Sequence, residues 1–203
     1  MTDDQRRYAP ATARNREPIL AVLRCHLPSQ GLVLEIASGT GEHVTFFAQS
    51  SDPCLVFQPS DPDPTARGSI DAWTAALGLM NVRPAIELDA ISGNWPMTAA
   101  DAVININMVH ISPWAATEGL VRGAARILPA GGVMYLYGPY RIGGRHTALS
   151  NETFDADLRS RNAEWGVRDV EAVAALAMSS GFGTPIIEQM PANNLLLLFR
   201  RLA

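Results

Sequence analysis

At 203 residues, 47% hydrophobic and 18% charged, the chain has a globular composition and suits one α/β domain with a sizeable core, expected over residues 1–203. The net charge of −4 argues against a general attraction to nucleic acid, and the two cysteines belong to no C-x-x-C pair, so neither a zinc site nor a redox dithiol is expected. No apolar run approaches a membrane span, and the first seven residues lack the apolar core of a signal peptide, which points to a cytoplasmic protein.

Residues 1–17 are polar and charged. Pro18 can open a helix whose apolar positions Ile19, Leu20, Val22 and Leu23 follow helical spacing. Residues 32–36 predict a buried strand that breaks into the glycine turn Ala37-Ser38-Gly39-Thr40-Gly41, followed by an amphipathic helix over 42–49. A second strand over 53–61 has Cys54 at its start as a core side chain, and a helix over 65–77 follows. Residues 85–89 predict a third, shorter strand, and 102–107 a fourth. Pro113 opens a helix that Pro129-Ala130-Gly131-Gly132 stops, and 133–137 give a fifth strand. Residues 138–165 form an excursion of loops and short helix, and 167–180 an amphipathic helix. Residues 186–190 and 195–200 close the chain as two strands around the turn Pro191-Ala192-Asn193-Asn194. Strands alternating with helices predict a Rossmann-like α/β fold: a seven-stranded, mostly parallel sheet with an antiparallel C-terminal edge strand and helices on both faces.

Gly39 and Gly41 permit conformations closed to residues with a Cβ and let a ligand press on the main chain. The helix that follows aims free N–H groups and partial positive charge at the turn, so a nucleotide-type ligand is expected there. The dinucleotide pattern G-x-G-x-x-G is not met, because Val44 stands three residues after Gly41. Glu35, four residues before Gly39, would repel a pyrophosphate but suit an ammonium or sulfonium. Asp61 ends the second strand twenty residues after Gly41, where an acid accepts hydrogen bonds from ribose hydroxyls; capping the next helix is its other use.

The run E-x-x-x-G-x-G resembles motif I of the class I S-adenosylmethionine (SAM)-dependent methyltransferases. That resemblance implies that Glu35, Ala37, Ser38, Gly39, Gly41 and His43 surround SAM, with S-adenosylhomocysteine as product, and that Asp89 and Ala90 lie near the adenine amino group. Asn105 and Asn107, two residues apart and facing the same way along a strand, would flank the methionine part. His110, at the rim of that pocket, is the candidate general base, with a structural role as its alternative.

Residues 8–20 (YAPATARNREPIL), 35–43 (EIASGTGEH), 58–61 (QPSD), 105–114 (NINMVHISPW), 138–140 (GPY) and 150–155 (SNETFD) together resemble the DUF938 family, which includes the methyltransferase-like 26 proteins. The resemblance covers almost the whole chain and implies a class I methyltransferase fold without naming an acceptor. In that fold residues 1–17 and 138–165 would form a lid over the strand ends, with Tyr8, Arg14, Asn15, Trp114, Tyr140, Arg141 and Asn151 as candidate acceptor contacts. An arginine-lined lid suits a carboxylate or phosphate on the acceptor. The function expected is therefore methyl transfer to a small molecule, with no nucleic acid, membrane or metal involved and the oligomeric state open. A SAM-binding protein without catalysis is the alternative, ahead of an NAD-dependent oxidoreductase.

Overall fold

The computed structural model describes residues 4–203. Its strands are β1 (Gly31–Ile36), β2 (Leu55–Ser60), β3 (Ala102–Ile106), β4 (Val133–Gly138), β5 (Tyr140–Ile142), β6 (Arg145–His146), β7 (Arg168–Asp169), β8 (Ile186–Met190) and β9 (Asn194–Arg200). The helices are α1 (Pro10–His26), α2 (Glu42–Gln49), α3 (Pro64–Leu77), α4 (Trp114–Ile127), α5 (Leu149–Arg161) and α6 (Val170–Ser179). The central strands are apolar on both faces, so the sheet must be covered twice. Leu34, Val103, Met134 and Leu197 pack with α4 and α6, whereas their neighbours Val33, Ala102, Tyr135 and Leu198 pack with α1, α2 and α3. The result is a three-layer α/β/α Rossmann-like sandwich.

The main sheet has the order β2-β1-β3-β4-β9-β8, with β1 to β4 parallel and β9 antiparallel to both neighbours. The chain winds outward from β1 in both directions, toward β2 on one side and β3 on the other. The carboxyl ends of β1, β2 and β3 therefore diverge at a topological switch point, where open α/β sheets bind ligands.

Six strands form this sheet where seven were expected. Residues 85–89 run beside β2 but touch it only through isolated bridges, Phe57 with Val82 and Ser60 with Ile86. Pro84 explains the break, since it has no N–H to give the ladder between Arg83, which donates to Phe57 O, and Ile86, which donates to Pro59 O. The antiparallel C-terminal strand is present but inserted, not at the edge. Leu195 to Phe199 are buried on both faces of β9, and β8, with Ile186 and Ile187 exposed, takes the edge.

Helix α1 begins at Pro10 and carries Pro18 in its interior, instead of starting there. Its first two turns reach beyond the core and present Arg14 and Asn15 above the strand ends. Cys54 precedes the first inward residue, Leu55, and is exposed, contrary to the core position expected for it. The excursion folds into α5 and, with residues 168–169, a small sheet of order β6-β5-β7, which also delays the start of α6 to Val170. Residues 1–3 of the expected lid lie outside the described residues. Among the described residues no helix is long and apolar enough to cross a membrane.

Gly119 lets α4 press on the loop after residue 89, because a Cβ there would collide with the Ala90 carbonyl. Gly119→Ala should cost roughly 1–3 kcal/mol of stability, read as a lower urea midpoint at unchanged slope.

Candidate functional site

At the switch point the diverging strands lose ladder partners, and side chains replace them. Ser60 Oγ donates to Glu35 O at 2.7 Å, and Asn105 Nδ2 to Ile36 O at 2.9 Å. Asp61 receives the Gly39 N–H on Oδ2 and the Asp63 N–H on Oδ1, both at 3.0 Å. The glycine turn passes through three positive φ values: Ala37 at 56°, Gly39 at 58° and Gly41 at 88°. The two glycines have different jobs. A Cβ on Gly41 would stand 2.7 Å from Ile70 Cα, so this residue seats α3 against the turn, whereas above Gly39 there is nothing within 4 Å.

Gly39 opens into a cavity of about 320 Å³ that also takes Ala37, Asp61, Asp89 and Ala90. Its apolar wall includes Met108 and Pro113, from the segment after β3, and Leu88 and Ile91, which were not among the candidate site residues. Asp89 uses Oδ1 to hold the Ile91 N–H at 2.9 Å. A second cavity of about 910 Å³ shares Ile111 with the first and is lined by Arg14, Asn15, Asn107 and Asn151. Tyr137, Phe154 and the 191–194 turn complete it. That turn was legible only as a hairpin; its sign is positive φ at two non-glycines, Ala192 and Asn193.

Several candidates sit elsewhere. Glu35 and Asn105 are buried beneath the turn and Ser38 within it, and none of the three lines either cavity. Burial pushes Glu35 up to about 8, opposed by a hydrogen bond with Ser38 and reinforced by Asp61, and Glu35 Oε2 has no partner among the described residues. Asn105 Oδ1 is likewise unpartnered. Burial also raises Asp61 above the usual carboxylate range, against the two backbone N–H bonds. Asn107 does not share the orientation of Asn105, because β3 ends at Ile106 and Asn107 turns at φ 67°.

His43 lies 2.8 Å from Asn15 Oδ1, and burial with nearby Arg16 lowers it to about 4. His110, expected at a pocket rim, is fully buried under Gly138 and edge-on to the Tyr140 ring at 4.7 Å. Burial lowers it to about 3, with Arg168 adding to the effect, and neither ring nitrogen has a partner. Tyr140 is buried beside it, and Arg141 is paired with Asp169 at 2.7 Å. Trp114 packs on the core under Arg168, and Tyr8 packs edge-on against Trp73 at 5.1 Å. None of these four lines a cavity, whereas Arg14, Asn15 and Asn151 meet in the larger one.

Residues 6–201 match the family model described as "Protein of unknown function (DUF938)". Among solved structures, an O-methyltransferase family protein from Burkholderia thailandensis aligns with TM-score 0.80 at 19% identity, over 95% of this chain and 58% of that one. An O-methyltransferase family 2 protein from Planctomyces limnophilus, in complex with apigenin, aligns at 0.81 and 17%, over 95% and 58%. Human N-acetylserotonin methyltransferase, in complex with SAM, aligns at 0.76 and 16%, over 95% and 53%. The chain thus spans little more than half the length of these three structures, and the likeness is one of fold.

The raised Glu35 and the lowered histidines act on stability in opposite senses. The two histidines stay neutral when folded but protonate near 6.5 when unfolded, so they cost stability as pH falls below that value. Glu35 keeps its proton up to about 8 when folded but loses it near 4.5 when unfolded, so it costs stability as pH rises between those values. From 6.5 to 8 the Glu35 effect acts without the histidines, and stability should fall by at most about 1.4 kcal/mol per pH unit. Glu35→Gln should flatten that slope in urea titrations across the same window.

Proposed function

The chain belongs to the DUF938 family, and from that membership and the strand-end geometry we propose that it is a SAM-dependent methyltransferase acting on a small molecule. The observation that carries the reading is one cavity in which Gly39 is bare and Asp61, Asp89 and Ala90 converge on the ends of the strands.

The residues fit the donor. Each Asp61 oxygen holds one backbone N–H and keeps a lone pair for a ribose hydroxyl. Asp89 Oδ2 has no hydrogen bond among the described residues and can accept from an adenine amino group, while Leu88, Ile91, Met108 and Pro113 give an apolar wall for the base. The open space at Gly39 admits a ligand to the main chain, and Asn107, at the junction with the larger cavity, marks the methionine end. When bound, SAM supplies a methyl group already activated by its sulfonium. The chain's task is then to orient and to exclude water.

The acceptor enters the larger cavity, where Arg14, Asn15 and Asn151 meet it under a lid made by the start of α1 and by α5. Tyr140 packs on His110, Arg141 is held by Asp169 and Trp114 lies under Arg168, so none of them is assigned to the acceptor. The fold likeness to methyltransferases supports the reaction class.

Calorimetric titration with SAM, S-adenosylhomocysteine and NAD tests the reading. SAM and its product should bind and NAD should not; NAD binding without SAM would overturn it. Asp61→Asn removes the charge and leaves one acceptor oxygen for the two backbone N–H groups, and should weaken S-adenosylhomocysteine binding roughly tenfold to a hundredfold.

A further inference from the structure

The wall of the larger cavity lacks one chemical function. Among the described residues, no Asp, Glu, His, Cys or Lys lines it. Helix α1 contributes the Arg14 guanidinium and the Asn15 amide, and β4 contributes the Tyr137 hydroxyl. The loop after β3, helix α5 and the 191–194 turn contribute amides, one serine hydroxyl and the apolar surfaces of Ile111 and Phe154. Arg14 is in none of the chain's ion pairs or hydrogen bonds among the described residues, unlike Arg141, which Asp169 holds, and Arg16, which lies over Phe46 at 4.5 Å.

The groups behind the wall do not fill the gap. His43 is reached only through Asn15, and His110 stands behind Gly138; both are held neutral and weakly basic, at about 4 and about 3. Burial raises Tyr137, opposed by a hydrogen bond with Asn15, so its hydroxyl keeps its proton and serves as a donor. A cavity whose lining holds, among the described residues, one cation outside the ion pairs and hydrogen bonds, otherwise neutral side chains and no general base suits a nucleophile that arrives without its proton.

Resting on the methyltransferase reading above, we propose that the acceptor is a small, apolar-bodied weak acid that binds as its anion, with an ionised sulfur or acidic oxygen as nucleophile, and that Arg14 holds that charge. The proton leaves to water before binding. The anion's electron pair then forms the bond to the methyl carbon, and the bond from that carbon to the sulfonium sulfur breaks with its pair left on sulfur. One anion and one cation give two neutral products, so the protein has no proton to remove. Ile111 and Phe154 receive the apolar body.

The test reads binding. The full chain, saturated with S-adenosylhomocysteine, is titrated calorimetrically with four 4-nitroaryl probes: 4-nitrothiophenol, 4-nitrophenol, 4-nitrobenzyl alcohol and 4-nitrobenzylamine. The ionised thiol or phenol should bind at least about tenfold more tightly than the alcohol, with the amine weakest. Comparing thiol with phenol tells sulfur from oxygen. Affinity for 4-nitrophenol should rise with pH along that probe's own titration. Arg14→Gln should abolish the preference and Arg14→Lys restore part of it, both with S-adenosylhomocysteine affinity kept.

Equal binding of the alcohol, tighter binding of the amine, no binding by any probe, or loss of S-adenosylhomocysteine affinity in Arg14→Gln would each overturn the proposal. A wild-type protein that binds no S-adenosylhomocysteine sinks the methyltransferase reading itself. One that binds it without anion preference sinks the acceptor proposal alone.

Discussion

Parallel strands that part company leave backbone groups without ladder partners, and burial makes such groups expensive. Here the ends of β1, β2 and β3 solve this with side chains: Ser60 on the Glu35 carbonyl, Asn105 on the Ile36 carbonyl, and Asp61 on the Gly39 N–H. Each bond contributes only about 0.5–1.5 kcal/mol net, but each orphaned group would cost about 1–3 kcal/mol, so the arrangement is strongly determined. The polar residues that end these apolar strands therefore hold the floor of the site rigid. Asp61 does so while facing a cavity, with lone pairs to spare.

Glu35 shows the other side of that rigidity. It is buried without a counter-ion and is neutral near pH 7, so it does not act as a fixed negative charge beneath the turn. A cation brought close to it would favour its ionised form and release a proton. Its chemistry therefore depends on what the cavity above it holds.

The periodicity of the chain made most elements legible, and the E-x-x-x-G-x-G run located the turn. The misplacements have local causes. Pro84 breaks a ladder that its apolar neighbours would otherwise complete, and Pro18 looks like a helix start although the helix runs through it. The place of Asp61 in the cavity was readable because it depends on spacing along one β-α-β unit. His110 was not, because the left-handed turn at Asn107 swings the following residues inward. Arg14 and Arg141 look equivalent in sequence; what separates them is Asp169, distant along the chain but adjacent across β5 and β7.

The segment between β3 and α4 connects these observations. Its residues wall both cavities: Ile111 belongs to each, Met108 and Pro113 to one, Asn107 to the other. Its path is held from outside. Asn107 N–H bonds the Tyr137 carbonyl, and Gly166 N–H bonds the His110 carbonyl. Arg168 donates to the carbonyls of Val109 at 3.1 Å, Ser112 at 2.7 Å and Glu164 at 2.8 Å. The segment before α6 thus fixes the loop that separates the two cavities. For the methyl transfer proposed above, that distance would set the in-line alignment, and Arg168, which lines neither cavity, would hold it from behind the wall.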